Sequence, residues 1–371
     1  MFFVLLAHFG GVFFRAPEDH QVLSITLLIG RVASPMFVML SGILLGVLYA
    51  VRHPSQFVGV QRKLVDRGLF LLLIGHPLIC CVLFPSQGTL LWSLSTDAIG
   101  VALICGSFLV PQLNIPQRLL SSAAAFALGW LIAARWTPVY WHDEFLKETL
   151  FGDPHLTVFR SGSFPLLQWV AVYLASTCLG ERLALLYAQG HAQRAVFELR
   201  RLAALCFSSA TFLKVGTWVI GGGGGGRGAH DSMASAFEIS RLLLRIDQKY
   251  PPGPIYLLVF GGFALLGLSL SLQWNVSGHF RRTMSLLARC GECSLFIFIT
   301  HFYVYWILLY SLGPGHPAAA LFYFPASVVL LGYLALRWHA GGGNRFLTVG
   351  YPQLIECLQR NLSTALAANR S

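Results

Sequence analysis

Histidine is the side chain whose ordinary pKa, about 6.5, suits proton transfer near neutral pH. The sequence carries one inside its first apolar run, LLAHFGG, as His8, and another deep in a late run, SLFIFITHFYVYW, as His301. An ionisable residue inside such a run is costly and is a functional candidate by default. Arg31, His76, Asp97 and Lys214 share that property. For His8 alone two readings stay open: a polar side chain bonded to a neighbouring helix, or a general base.

Arg31 heads the run RVASPMFVMLSGILLG. From there its guanidinium either snorkels to an interface or binds an oxyanion. The small residues behind it, Ala33, Ser34, Ser41, Gly42 and Gly46, allow helices to approach closely. In QRKLVDRGLFLLLIG the cations Arg62, Lys63 and Arg67 read either as ordinary topology-determining charge or as a clamp for a phosphorylated ligand. In QKYPPGPIYLL two prolines and a glycine hold Lys249 and Tyr250 on stiff, non-helical backbone.

The elements that must position these groups follow from composition. Hydrophobic residues make up 56% of the 371, charged residues 11%, and the mean hydropathy is +0.65. A soluble domain carries about 25% charged residues, so most of this chain faces lipid or other apolar helices. Apolar stretches at 1–14, 29–51, 67–84, 92–111, 119–136, 165–187, 199–220, 254–272, 290–312 and 317–337 predict an all-α, polytopic integral membrane bundle of about ten transmembrane helices. The first stretch rises only about 20 Å as a helix, short of a hydrocarbon core of about 30 Å. The expected organisation is a single bundle over 1–340 and a cytoplasmic tail over 341–371.

Basic residues set the orientation. Arg52, Arg62, Lys63 and Arg67, Arg118, Arg182, Arg194, Arg200 and Arg201, Arg281, Arg282 and Arg289, and those of the tail all fall on one side, which places both termini in the cytoplasm. The net charge of +11 is accounted for by those loops and by anionic headgroups, so no nucleic acid partner is expected. Two outer loops are long, roughly 137–164 and 221–253, as binding segments tend to be. The second opens with six glycines (Gly221–Gly226) that lack the Lys-Ser/Thr ending of a phosphate-binding loop and read as a linker. The stretch after it, SMASAFEISRLLLRIDQKY, reads as an amphipathic helix at the outer surface. The eight cysteines lie mostly in apolar runs. The CGEC pair (Cys290, Cys293) has no second pair to make a metal site, so no metal is expected.

Taken together and in order, AHFGG, R.ASPMFVMLSG, RKLVDRGLFLLLIG, DAIGVALI, FPLLQW, KYPPGPIYLL and SLFIFITHFYVYW resemble the heparan-α-glucosaminide N-acetyltransferase-like family, within the transmembrane acyltransferases. The resemblance runs over nearly the whole chain; FPLLQW and KYPP are its most specific parts. It departs from the family at Gln168, where proline is usual, in the glycine run, and in lacking an Arg-Gly motif before the first histidine.

The resemblance implies an enzyme of the bacterial inner membrane. It would move an acyl group, acetyl in the first instance, from cytosolic acetyl-CoA or another acyl-CoA to a sugar hydroxyl or amine outside. His8 matches the family's first-helix histidine, with His20 in the first outer loop as the reserve, and His301 matches a late-helix histidine. Arg31 is the candidate oxyanion donor and Arg62, Lys63 and Arg67 the donor-binding cations. Gln168, Trp169, Lys249 and Tyr250 are the candidate acceptor-binding residues. The expected partners are the bilayer, acyl-CoA and an extracytoplasmic sugar, with a homodimer as an option. The rivals are a transporter or flippase without chemistry and a catalytically inactive scaffold.

Overall fold

The computed structural model describes residues 1–14, 20–83, 93–154, 164–220, 243–312 and 317–368. The glycine run, most of the amphipathic segment after it, and the side chain of His20 lie outside the described residues.

In lipid a backbone N–H or C=O finds no water, so long apolar runs satisfy themselves as helices. The chain runs through α1 (Phe2–Phe13), α2 (His20–Gly30), α3 (Ala33–Ala50) and α4 (Pro54–Phe70). One wide π-helical turn, Leu71–Gly75, leads into α5 (His76–Leu83). There follow α6 (Ser95–Gln112), α7 (Ile115–Arg135), α8 (Trp141–Leu150), α9 (Leu166–Ala188), α10 (Ala192–Ile220), α11 (Pro254–Ser277) and α12 (Arg281–Glu292). Next, α13 (Ser294–Tyr303) widens into a second π segment, Val304–Leu309. Last come α14 (Pro317–Ala340), a 3-10 turn at Gly343–Phe346, and α15 (Tyr351–Ala368).

Seven helical stretches among the described residues are long and apolar enough to cross a membrane. An eighth is added if Arg281–Glu292 and Ser294–Leu309, which meet at 71°, count as one span. The chain is a helical membrane protein. The bend falls inside the stretch 290–312 that reads as one helix in the sequence. It has a cause: α12 carries Arg281, Arg282 and Arg289 and buries none of its residues, so it lies as a charged surface helix while α13 enters the apolar interior. The stretches 1–14 and 199–220 are helical but outside this set, α1 having 12 residues.

Arg31 is also placed differently from its reading as the head of a span. Gln21–Ala50 is a single 30-residue helical stretch, with Arg31 and Val32 at an internal turn between α2 and α3. Helix α1 lies antiparallel to α2, with Gly10 against Thr26 and Gly30 against Ala7. At that register His8 is level with about residue 29. His20, nine residues back, is about 13 Å further along the axis.

The largest helix pair is α3 with α9, and it is held backbone to backbone. A Cβ placed on Gly46 would fall on the Thr177 carbonyl, and one on Gly180 would fall on that of Ile43. Such contact replaces missing hydrophobic drive with dispersion and shape. At one end of this pair Arg118, only 1% exposed, reaches from α7 to the Thr177 hydroxyl at 2.9 Å and to the Glu181 carboxylate. Nearby, Glu198 of α10 accepts Arg182 of α9 at 3.0 Å.

These contacts separate two classes of helical glycine. Gly180→Ala is expected to destabilise the purified protein by about 1–3 kcal/mol through overpacking. Gly59→Ala, where a Cβ meets nothing within 4 Å, should gain a few tenths to about 1 kcal/mol from helix propensity. Thermal unfolding in detergent checks both; equal shifts would remove the close-packed seam from the account.

Candidate functional site

Among the described residues, two neighbouring cavities hold several of the candidate groups. The first, of ≈ 320 Å³, is lined by His8, Ser34, Ser95, Lys249 and Tyr250 among apolar walls that include Phe298, Phe302 and Trp306. The second, of ≈ 560 Å³, runs between α3 and α13 and has Arg67, Glu292 and Asn344 together with Ser41, Thr96 and Ser294 in an otherwise apolar lining. Phe37, Ile99 and Phe298 line both, so the cavities stand end to end with one shared constriction. Across it the rings of Phe37 and Phe298 are 5.8 Å apart.

The sequence signal for His8 and His301 is a polar residue in each of two apolar helices; the fold brings the two together. Their ring centroids are 5.0 Å apart, and His8 also lies 4.9 Å from Phe302 and 5.7 Å from Trp306. His301 is fully buried. Its Nδ1 is 3.2 Å from the Ile297 carbonyl, a position only an N–H can satisfy, so Nε2 is left as an acceptor. Among the described residues that Nε2 has no hydrogen-bond partner. The pair thus offers one imidazole on the cavity wall and one lone pair behind it, an arrangement suited to accepting and relaying a proton.

Lys249 and Tyr250 stand in the same cavity as His8, with the Lys249 ammonium 4.9 Å from the Tyr250 ring and 5.8 Å from that of Phe164. Their loop is braced on several sides. Trp130 Nε1 donates to the Pro252 carbonyl at 2.9 Å, and Gln248 Nε2 to that of Tyr250 at 3.1 Å. Gly152, at φ +78, lets the end of α8 come against Pro251. One turn earlier Arg245 grips Asp247 through both nitrogens, at 3.0 and 2.8 Å. That hydrogen bond, with the nearby charge of Arg31, holds the Asp247 carboxyl below its ordinary range. The stabilisation is therefore present at neutral pH and is lost only in acid, as pH falls through the lowered value.

Gln168 and Trp169 line neither cavity. Trp169 is fully buried and stacks on Phe164 at 4.7 Å, and Phe164 is part of the wall. Gln168 donates to the Phe151 carbonyl at 2.8 Å, tying α9 to the end of α8. Both residues hold the wall from behind. Arg31 is likewise absent from the lining; its carbonyl accepts the Tyr256 hydroxyl at 3.0 Å. Of the three candidate cations on α4, Arg67 reaches the second cavity, whereas Arg62 and Lys63 do not line it. His20 begins α2, away from His8.

His76 and Asp97, separate in the sequence, form a buried pair at 2.8 Å, with Cys80 Sγ 3.4 Å from the second His76 nitrogen. Asp97 Oδ2 also accepts the Leu94 N–H at 2.6 Å, so it caps the start of α6. In the sequence both stand out only as ionisable residues inside apolar runs; their pairing carries no sign there. Among the described residues no group of three or more His, Cys, Asp or Glu is arranged to hold a metal.

No family model, characterised protein or solved structure matches this chain. Its chemistry has to be argued from the two cavities themselves.

Replacing Trp130 by Phe removes the donor to Pro252 and leaves a carbonyl unsatisfied, a loss of about 1–3 kcal/mol. Hydrogen exchange over Gln248–Gly253 should then accelerate while α9 stays protected. Unchanged exchange would mean that this bond does not hold the Lys249 loop.

Proposed function

We propose that the protein is a membrane-bound acyltransferase that carries an acyl group, acetyl in the first instance, from a cytosolic acyl-CoA to a hydroxyl or amine of a sugar on the opposite face. The observation that carries this reading is the pair of cavities meeting at Phe37, Ile99 and Phe298, with Arg67 in one and His8 in the other. On the positive-inside reading of the basic loops the Arg67 end faces the cytosol, and the resemblance implies a bacterial inner membrane. The donor then enters where a guanidinium can take its phosphates, and the acceptor enters beside Lys249 and Tyr250.

The second cavity, the inner one in this orientation (the first being the outer), suits the arm of such a donor. Its walls are apolar, but Thr96 lines it with a buried hydroxyl oxygen that has no partner among the described residues. A ligand with a polar group partway along an otherwise apolar length would satisfy it. In the first cavity, His8 takes the proton from the acceptor O–H or N–H. The freed pair attacks the thioester carbonyl, and the C–S bond breaks. The departing thiolate then takes up the proton that His8 holds, so the histidine is regenerated. The His301 ring, edge-to-face with His8 at 5.0 Å, steadies its orientation by packing. Lys249 is placed to balance the oxyanion, a role the sequence alone had suggested for Arg31.

A transporter without chemistry would share two cavities separated by a constriction. It differs in consuming no acyl-CoA, so release of free coenzyme A thiol separates the two.

Proteoliposomes given acetyl-CoA on one side and candidate sugars on the other test the proposal. His8→Ala should lower acyl transfer about 10²–10⁴-fold, the usual range for a lost general base, while His20→Ala keeps it. Loss in His20→Ala alone would move the base to His20; full activity in both variants would sink the mechanism.

A further inference from the structure

The segment that leaves α14 turns back across the Arg67 end of the inner cavity and is fastened there by polar bonds. Arg67 donates through Nη2 to the Asn344 carbonyl at 3.1 Å and through Nη1 to that of Leu347. Next to it Asp66 Oδ1 accepts the backbone N–H groups of Val349 and Tyr351 at 3.1 and 3.0 Å. The Asn344 side chain completes a three-way clasp: Trp338 Nε1 donates to it at 3.1 Å, and it donates to the Glu292 carbonyl at 3.0 Å. Asn344 and Leu347 thereby form part of the cavity wall beside Arg67.

Two features mark this closure as reversible. Between Gly341 and Gly350 only Gly343 and Leu347 are buried, and Phe346 is 62% exposed, so little apolar area holds the segment down, as in elements that open locally. And the partners of Arg67 here are neutral carbonyls. A phosphate offers the same guanidinium a full opposite charge and a bidentate fit that two neutral carbonyls lack.

We propose that Gly343–Tyr351 is a displaceable strap over the inner cavity. A phosphate-bearing ligand takes Arg67 from the carbonyls of Asn344 and Leu347, and the strap lifts as the ligand enters. The ligand half rests on the donor site of the acyltransferase reading; the strap itself does not.

The molecule contains its own reporter. Cys293, at the break between α12 and α13, is 0% exposed, and the Asn344 amide covers its sulfur at 3.9 Å. The rate of alkylation of Cys293 by N-ethylmaleimide, read by peptide mass spectrometry on the full-length protein in nanodiscs, follows the strap without any turnover. Asn344→Ala and, independently, Asp66→Ala should raise that rate roughly tenfold, the effect of losing one hydrogen bond to a charged or buried group. Cys178, buried in α9, should stay protected in both and reports an intact fold. Desulfo-coenzyme A, which has no thiol to consume the reagent, should raise the rate in the unaltered protein and lose that effect in Arg67→Ala. Equal Cys293 rates in the unaltered protein and both variants, with Cys178 protected, overturn the strap. A rate that responds to the variants but not to desulfo-coenzyme A overturns the exchange at Arg67. Loss of acyl transfer with both alkylation responses intact would count against the enzyme and leave the strap standing.

Discussion

The close approach of α3 to α9 is the contact on which the rest of this bundle depends. One side of α3 is pressed onto α9 through Gly42 and Gly46, backbone against backbone. Its other side supplies Ala33, Ser34 and Phe37 to one cavity and Met36, Leu40 and Ser41 to the other. In a membrane the apolar solvent gives helices no reason to associate, so such shape-matched seams take the place of a hydrophobic core. If α3 moved away from α9, both cavities and the constriction between them would change together. The buried guanidinium of Arg118 closes the end of the same seam, where a side chain larger than glycine would have opened it.

The polar groups inside the bundle divide by what they are tied to. Arg118 is bound to a hydroxyl and a carboxylate, and His76 to Asp97. These pairs join helices and compensate most of the buried charge, although Asp97 Oδ1 and Arg118 Nε have no partner among the described residues. His301 Nε2 and Thr96 Oγ1 are not satisfied within the described residues, and one stands behind the histidine of the outer cavity while the other lines the inner one. Orphaned groups of this kind are costly to keep. Thr96 lines a cavity, where a ligand could complete it, whereas Gln168 Oε1 and Trp169 Nε1, orphaned as well, lie behind the wall.

Much of this was legible in the amino-acid sequence. Long apolar runs announced the helical membrane class, because length and composition alone decide it. The prolines and glycine after Tyr250 announced a stiff loop, which the bonds from Trp130 and Gln248 now brace. What a single sequence does not carry is pairing at long range. His8 and His301 were separately visible, but their 5.0 Å approach depends on how α1 packs against α13. Gln168 and Trp169 stood out by residue type, yet periodicity does not say whether a side chain faces a cavity or the wall behind it. Arg62, Lys63 and Arg67 read as one cluster, and only the turn of α4 singles out the last. Asp66 was hidden inside that basic run, and Asn344, the hub of the clasp, followed three glycines that read as tail.

Both wide turns of the bundle sit next to a histidine: Leu71–Gly75 ends immediately before His76, and Val304–Leu309 begins three residues after His301. A π turn is an α-helix with one residue too many, and the extra residue loosens the helix that carries it. Regular α winding over the same residues would instead rotate everything beyond Gly75 by about 100°. His76 would swing off Asp97, and Ile79 would leave the wall of the outer cavity. The irregularity acts as a phase correction between two halves of one span: each end stays in register with its own neighbours, and a single inserted codon is enough to have made it so.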